Sequence, residues 1–306
     1  MKKTISNSRN FNTISKKSNA LLTLLMSIYS LGCALPVLLV YIVSFSSEDS
    51  VMTNGYSYFP TEWSLAAYQS LLKSIHTIIR SYGVSIFATI TGTLIGLFIM
   101  SLFAYVISRK DFKYHKILTF FAFFTMLFNG GLVASYLINT QVFHLSNTIW
   151  ALILPYTINA YYVIIMRTFF SQTIPDSVIE SARIDGAGEL QIYYSIILPL
   201  SKPVLATIGL FLIVVYWNDW FLGLLYITDD NLVSIQYSLM KIQASMEFIK
   251  SNMVALGGEA SSLLKGYPTE TARMAMLVVV ITPVMFAYPF FQRYFVSGLT
   301  IGSIKG

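Results

Sequence analysis

The chain has 306 residues, 55% of them hydrophobic and only 11% charged, with 20 Lys and Arg against 14 Asp and Glu for a net charge of +6. So apolar a composition excludes an ordinary soluble domain and indicates an integral membrane protein. The basic excess flanks apolar runs, as orientation charges do, so no nucleic-acid partner is expected; the single cysteine, Cys33, excludes an intrachain disulfide and a thiolate-metal cluster.

Residues 1–17 carry Lys2, Lys3, Arg9, Lys16 and Lys17 without an acid, a basic segment expected in the cytoplasm. The uncharged run at 18–47 is too long for a signal-peptide core and lacks a small-residue cleavage site. It is read as a retained transmembrane helix 1, kinked at Pro36. Residues 48–80 form a polar external loop, in which Pro60-Thr61-Glu62-Trp63-Ser64 caps a short amphipathic helix through Leu71-Leu72, and Trp63 and Tyr68 anchor at the interface. The uncharged stretch 81–108 gives helix 2, closed by Arg109-Lys110-Asp111-Phe112-Lys113. Between Lys116 and Arg167 there is no Asp, Glu, Lys or Arg and a single histidine, His144; at about 50 residues this is two spans, 117–138 and 148–168, hinged at 139–147, with Pro155 inside the second. Helix 5 is expected over 204–227, an external polar loop over 228–272, helix 6 over 274–291 with Pro283 and Pro289 inside it, and a cytoplasmic tail over 293–306. The fold class is all-α, with six transmembrane helices.

One polar stretch, 176–203, interrupts this pattern. Pro175-Asp176-Ser177 offers an N-cap, Val178, Ile179 and Ala182 form one apolar face, and Glu180 sits in the first turns, where the helix dipole favours an acid. Asp185-Gly186 ends this helix. A second one carrying Leu190, Tyr193, Tyr194 and Ile197 restarts near Gly188 and runs to Pro199 and Pro203. Such a knob cannot lie in lipid; it meets water or protein.

Orientation follows from counting. With both termini cytoplasmic, 14 of the 20 basic residues fall inside, and Lys73, Arg80, Lys241, Lys250, Lys265 and Arg273 fall outside. The knob then faces the cytoplasm. The chain has no Gly-Lys dipeptide and hence no P-loop, no His-Glu-x-x-His, no Gly-x-Ser-x-Gly and no metal-spaced pair among His76, His115 and His144. It is read as no enzyme and as holding neither metal nor cofactor; any energy comes from another subunit.

The run Glu180-Ser181-Ala182-Arg183-Ile184-Asp185-Gly186-Ala187, then about eight residues to Ile196-Ile197-Leu198-Pro199, then Pro203, resembles the EAA loop of bacterial ABC importer permeases, with Ser181 in place of the usual Ala. The resemblance implies a type I ABC transmembrane domain over 81–292. It makes the loop at 176–203 a coupling helix seated in a cytoplasmic ATPase, with Glu180 as salt-bridge partner, Asp185-Gly186 as turn, and Ser181, Ala182 and Ala187 as docking positions. Asn129-Gly130-Gly131-Leu132, Asn147 to Pro155, Ile164-Ile165-Met166-Arg167 and the tail Phe295 to Gly306 narrow the similarity to carbohydrate importers of the maltose-permease class, LplC/YtcP-like branch. That branch implies complex oligosaccharides as cargo. It also implies a second homologous permease, two ATPases holding ATP and Mg²⁺, an extracellular or periplasmic sugar-binding protein, a multi-pass position in the bacterial plasma membrane, and contact of Ser303, Lys305 and Gly306 with the ATPases.

For the sugar path, Trp217, Asn218, Asp219 and Trp220 with Asn159 and Tyr161 offer aromatic faces and amides in a membrane interior, and Asn129 and Tyr136 repeat the pattern. The competing reading has these aromatics packing helices and Asp219 near a helix end. The rivals to an ABC sugar importer are an ion-coupled secondary transporter, which needs more buried ionisable groups than Asp219, and an ABC importer of a non-sugar solute.

Overall fold

A computed structural model of the chain describes residues 15–252 and 270–301, with side chains at all of these except 249–250 and 287–301. The basic residues Lys2, Lys3, Arg9 and Lys265 and the tail residues Ser303, Lys305 and Gly306 lie outside the described residues. In chain order the helices are α1 (Lys16–Ser44), α2 (Glu48–Asn54), α3 (Ala66–Lys73), α4 (Ile75–Ser108), α5 (His115–Leu127), α6 (Gly131–Leu137), α7 (Ala160–Thr173), α8 (Asp176–Ile184), α9 (Glu189–Ile192), α10 (Leu198–Leu200), α11 (Lys202–Trp217), α12 (Phe221–Tyr226), α13 (Ile235–Ser251) and α14 (Glu270–Ile301). Shorter 3₁₀ turns at Ile149–Leu152, Leu154–Tyr156 and Asp230–Leu232 and π turns at Ile138–Val142 and Tyr193–Ile197 join them. Among the described residues there is no strand, only an isolated bridge between Ser46 and Trp63.

The chain divides into two units, Met1–Gln69 with Thr269–Val278, and Ser70–Pro268 with Val279–Gly306. In the first, α1 starts at Ser15, whose Oγ accepts from the Ser18 N–H, and runs through Pro36 with only Val43 and Ser44 buried. A helix with Tyr29 at 73% and Leu31 at 66% exposure suits lipid. Beyond it, in the first turn of α2, the Glu48 carboxylate accepts from the backbone N–H of Glu270 and Thr271, both at 3.0 Å, and so caps the start of α14. Tyr56 and Arg273 both meet Glu270, closing a small clasp.

In the second unit α4 is the axis. Ser81, Ser85, Ala88, Thr89, Gly92, Gly96 and Ala104 are buried along it, and small residues at this spacing let neighbouring backbones approach closely. Gly92 lies under the Tyr216 ring, where a Cβ would come within 2.7 Å of the ring edge. The main core joins Met100, Ala104 and Ile107 of α4, Val163, Met166 and Phe170 of α7, and Val204, Ile208 and Leu212 of α11.

Several expected spans differ. Helix 2 begins at Ile75, not 81, and the last helix runs Glu270–Ile301 past Pro283 and Pro289 rather than 274–291. Charge ends an apolar run, but a helix continues through His76, Arg80 or Arg293 because those residues are adequate helix formers. The third span is not one helix: His115–Leu127 and Gly131–Val142 meet at 115°. Gly131 adopts φ +83° and the Asn129 side chain accepts from its N–H at 2.8 Å, so a Gly pair and an Asx turn make the corner. The fourth opens as 3₁₀ turns around Pro155, and α7 starts only at Asn159, its N-cap, with a 49° bend between the parts. The fifth stops at Trp217 and resumes at Phe221, so 204–227 is broken. Helices α1 and α4 are each long and apolar enough to cross a membrane, and the three bent pairs supply up to three further crossings.

Candidate functional site

The knob is built from α8 and from the α9 to α10 run. Pro175 sets α8 with φ −64°, Asp176 occupies its first turn and Arg183 its last, both favourable to the helix dipole. Gly186 takes φ +83° and its N–H bonds to the Arg183 carbonyl at 3.0 Å, while the Ala187 N–H reaches back to the Ala182 carbonyl at 2.9 Å. This is the glycine-dependent closure of a helix C-terminus, and any other residue at 186 is strained. Ile179, Ile192, Tyr193 and Ile197 are buried in the main core, and Tyr193 shares a 2.7 Å hydrogen bond with Ser101 of α4. The knob is therefore rooted in the bundle.

Its outer face carries Glu180, Ser181, Asp185 and Gly186, all exposed, with Ala182 and Ala187 half-buried at the root. Among the described residues no cation pairs with Glu180. Ile184 at 86% and Leu190 at 67% exposure stand beside these polar groups. Sequence reasoning missed both as surface residues: Ile184 lies off the apolar face defined by Val178, Ile179 and Ala182, and that offset was the available clue.

A second missed feature is an ionic clamp. Arg183 pairs with Glu189 and with Asp111 of the elbow between α4 and α5; Arg109 holds the same Asp111 at 3.1 Å, and Lys110 meets Asp176 at 3.1 Å. Tyr105 donates to Glu189 at 2.6 Å. Partial burial pushes the Asp111 carboxyl up, but the hydrogen bonds from Arg109 and Arg183 outweigh it and hold the group at about 2. Glu189 is likewise held below the usual carboxylate range: burial raises it, while Tyr105 and Arg183 lower it by more. These partners are 72 residues apart in the case of Arg183 and Asp111, so local pattern reading could not pair them.

Most of the residues expected along a sugar path serve helix ends or pack against neighbouring side chains. Trp217 is 7% exposed and donates to the Val280 carbonyl at 3.2 Å. Asn218 is exposed, but its amide donates to the Val214 carbonyl at 2.8 Å, serving the end of α11. Asp219 Oδ1 accepts from the Leu222 N–H at 3.3 Å and from Tyr156 at 3.0 Å, serving the start of α12. Trp220 packs edge-on against Phe221. Asn159 caps α7 by accepting from the Tyr161 N–H, Asn129 turns the corner before α6, and Tyr136 stacks on Tyr226 at 5.7 Å. Tyr161 alone of these presents a largely open ring, at 55% exposure. The cavity that Trp217 lines, about 550 Å³ with Tyr162, Phe211, Val214 and Pro283, is almost wholly apolar and gives a polyhydroxylated ligand few partners.

Comparison with known proteins places this arrangement. The binding-protein-dependent transport system inner membrane component family matches residues 92–301. The polygalacturonan/rhamnogalacturonan transport system permease protein YtcP of Bacillus subtilis is 39% identical over 278 residues, covering 91% of this chain and 94% of that one. Protein LplC of the same organism is 38% identical over 273 residues, covering 89% of each. The crystal structure of a bacterial ABC transporter involved in the import of the acidic polysaccharide alginate aligns with a TM-score of 0.77 at 28% identity, over 92% of this chain and 99% of that chain. The chain therefore belongs to the binding-protein-dependent inner membrane transport family, as an all-α membrane protein with a type I ABC importer transmembrane domain. Within that family it stands with the LplC/YtcP-like permeases.

Proposed function

We propose that this chain is a permease subunit of a carbohydrate ABC importer whose cargo is an acidic, uronate-containing oligosaccharide. The observation that carries the importer reading is the knob: a helix-turn-helix rooted by Ile179, Ile192, Tyr193 and Ile197 that holds Glu180, Ser181, Asp185, Ile184 and Leu190 outward. A lever needs a packed base and a surface open to a partner, and the buried root together with the exposed Glu180, Asp185, Ile184 and Leu190 supports that reading. The acidic character of the cargo rests on similarity to the polygalacturonan/rhamnogalacturonan permease and the alginate importer.

In this reading both termini and the knob face the cytoplasm. A second homologous permease completes the pore, two ATPase subunits bind ATP and Mg²⁺, and an external sugar-binding protein delivers the oligosaccharide to the loops around 48–80 and 228–272. ATP binding closes the ATPases, the docked knob moves with them, and the helices swing between inward-open and outward-open arrangements. The residues of this chain supply no catalytic group; Glu180 pairs with a cation of the ATPase cleft, and the tail residues Ser303, Lys305 and Gly306 reach the ATPase dimer.

The test is accumulation of labelled oligogalacturonide in proteoliposomes holding the chain with its partner permease, ATPases and binding protein. ATP-dependent uptake of the acidic oligosaccharide, with a neutral maltooligosaccharide excluded, is expected. Uptake driven by a proton or sodium gradient without ATP overturns the importer reading, and equal uptake of the neutral oligosaccharide overturns the acidic cargo.

A further inference from the structure

A cavity of about 530 Å³ opens between the first turns of α5 and the middle of α7, lined by His115, Lys116, Phe120, Phe123, Ile164 and Arg167 among others. Its lining includes two fixed cations and a histidine and no carboxylate. The Arg167 Nε is buried and has no hydrogen-bond partner among the described residues. Arg109, Arg183 and Arg273 each meet a carboxylate; the Arg273 Nε is likewise buried without a partner, but its Nη2 pairs with Glu270 at 2.7 Å, whereas no ion pair holds Arg167 among the described residues. A buried guanidinium nitrogen without an acceptor is costly unless an anion approaches it. Beside the cations the wall turns apolar: Phe120 is 62% and Phe123 49% exposed, continuing the outward aromatic face of α5 that includes Phe121 and Phe124.

We propose that this pocket holds the headgroup of an anionic phospholipid. Arg167 and Lys116 grip the phosphodiester, the planar guanidinium in a fork and the ammonium as a point charge, and the acyl chains lie along Phe120, Phe123 and Ile164. Basic pockets between transmembrane helices at a membrane face suit such headgroups, and a neutral phospholipid is disfavoured because its own ammonium repels both cations. The charge set and the adjoining apolar wall together select a lipid over a soluble anion. The inference is independent of the cargo and of the ATPases.

The full chain, purified with its partner subunits, is reconstituted in nanodiscs of mixed phosphatidylglycerol and phosphatidylcholine, and the lipid retained after detergent extraction is identified by native mass spectrometry. Phosphatidylglycerol should be enriched over its bulk ratio, with the enrichment falling about fivefold for each cation removed in Lys116→Gln and Arg167→Gln. Arg167→Lys should recover part of it. The exposed Lys116 carries the test if Arg167→Gln fails to assemble. Equal retention of the two lipids, or unchanged enrichment in Lys116→Gln, overturns the proposal. So does displacement by inorganic phosphate without any preference between the lipids, which marks a free-anion site.

Discussion

The knob at 176–200 and the break at 218–220 both interrupt apolar sequence with an acid and a turn, yet their polar atoms go to opposite ends. In the knob, Gly186 closes the helix through backbone bonds alone, leaving the carboxylates of Glu180 and Asp185 exposed, while the Ser181 hydroxyl turns back to the Ser177 carbonyl at 2.9 Å. In the break, Asn218 and Asp219 fold back onto the carbonyl of Val214 and the N–H of Leu222, so the acid satisfies its own helix end. An acid in an apolar chain is thus available to a partner only where the backbone has closed without it. Glycine does that work at 186; no glycine is present at 218–220, and the side chains do it instead.

The largest effect is expected at the knob's root. Ile192→Asp places an unpaired carboxylate where Ile192 is fully buried beside Tyr193 and Ile197, a change expected to cost several kcal/mol and to detach the knob from α4. Co-purification of the ATPase should be lost along with thermal stability. Glu180→Lys is the matched opposite. Because Glu180 is exposed and has no partner among the described residues, melting should be unchanged, while the proposed coupling role requires that transport-linked ATP hydrolysis be abolished. Unaltered coupling with intact melting removes Glu180 from that role.

Legibility followed the same division. The turn of the knob could be read from Asp185-Gly186 because glycine acts on its own backbone, whereas the expected stops at Pro199 and Pro203 fall inside α10 and in the first turn of α11, with the break at Ser201 between them. The breaks at Gly131, Asn159 and Asp219 also involve local capping, but their residues sit inside long uncharged runs, where amides and aromatics are equally consistent with a ligand path. In the folded chain Asn129, Asn159 and Asp219 each accept from a backbone N–H at a helix start. Helix ends were misplaced at Ile75 and beyond Phe291 because hydropathy marks where lipid stops, not where the helix stops. The clamp of Arg183, Asp111 and Glu189 was out of reach for another reason, since it joins elements distant in sequence through an elbow whose fold depends on the bundle.

A smaller effect tests the break. Asp219→Ala removes a helix cap and the acceptor for Tyr156, worth about 1 kcal/mol together with the loss at α12. Melting should fall modestly and the KM for sugar uptake should stay unchanged, whereas a large rise in KM with unchanged melting would show that Asp219 contacts cargo after all.

The smallest effect concerns the clamp and acid. Asp111 is held at about 2 by Arg109 and Arg183, and Glu189 is also depressed, so both carboxylates favour the folded arrangement once they are ionised. Groups with lowered folded values contribute their stability fully above the unfolded carboxylate range and lose it as pH falls toward their folded values. Coupled ATP hydrolysis by the assembled complex should therefore show no pH dependence arising from this clamp between about pH 6 and 8, and the knob should loosen only as the pH drops below about 4. Exposed ion pairs are individually weak and screened by salt, so Asp111→Asn should lower coupling only a few-fold at low ionic strength and less at high. Hydrogen exchange at 183–190 reads the loosening directly: protection that is lost in Asp111→Asn at neutral pH, and in the unaltered chain only in acid, assigns the stiffness of the knob's tip to this clamp. Equal protection in both at neutral pH assigns it to the buried root alone.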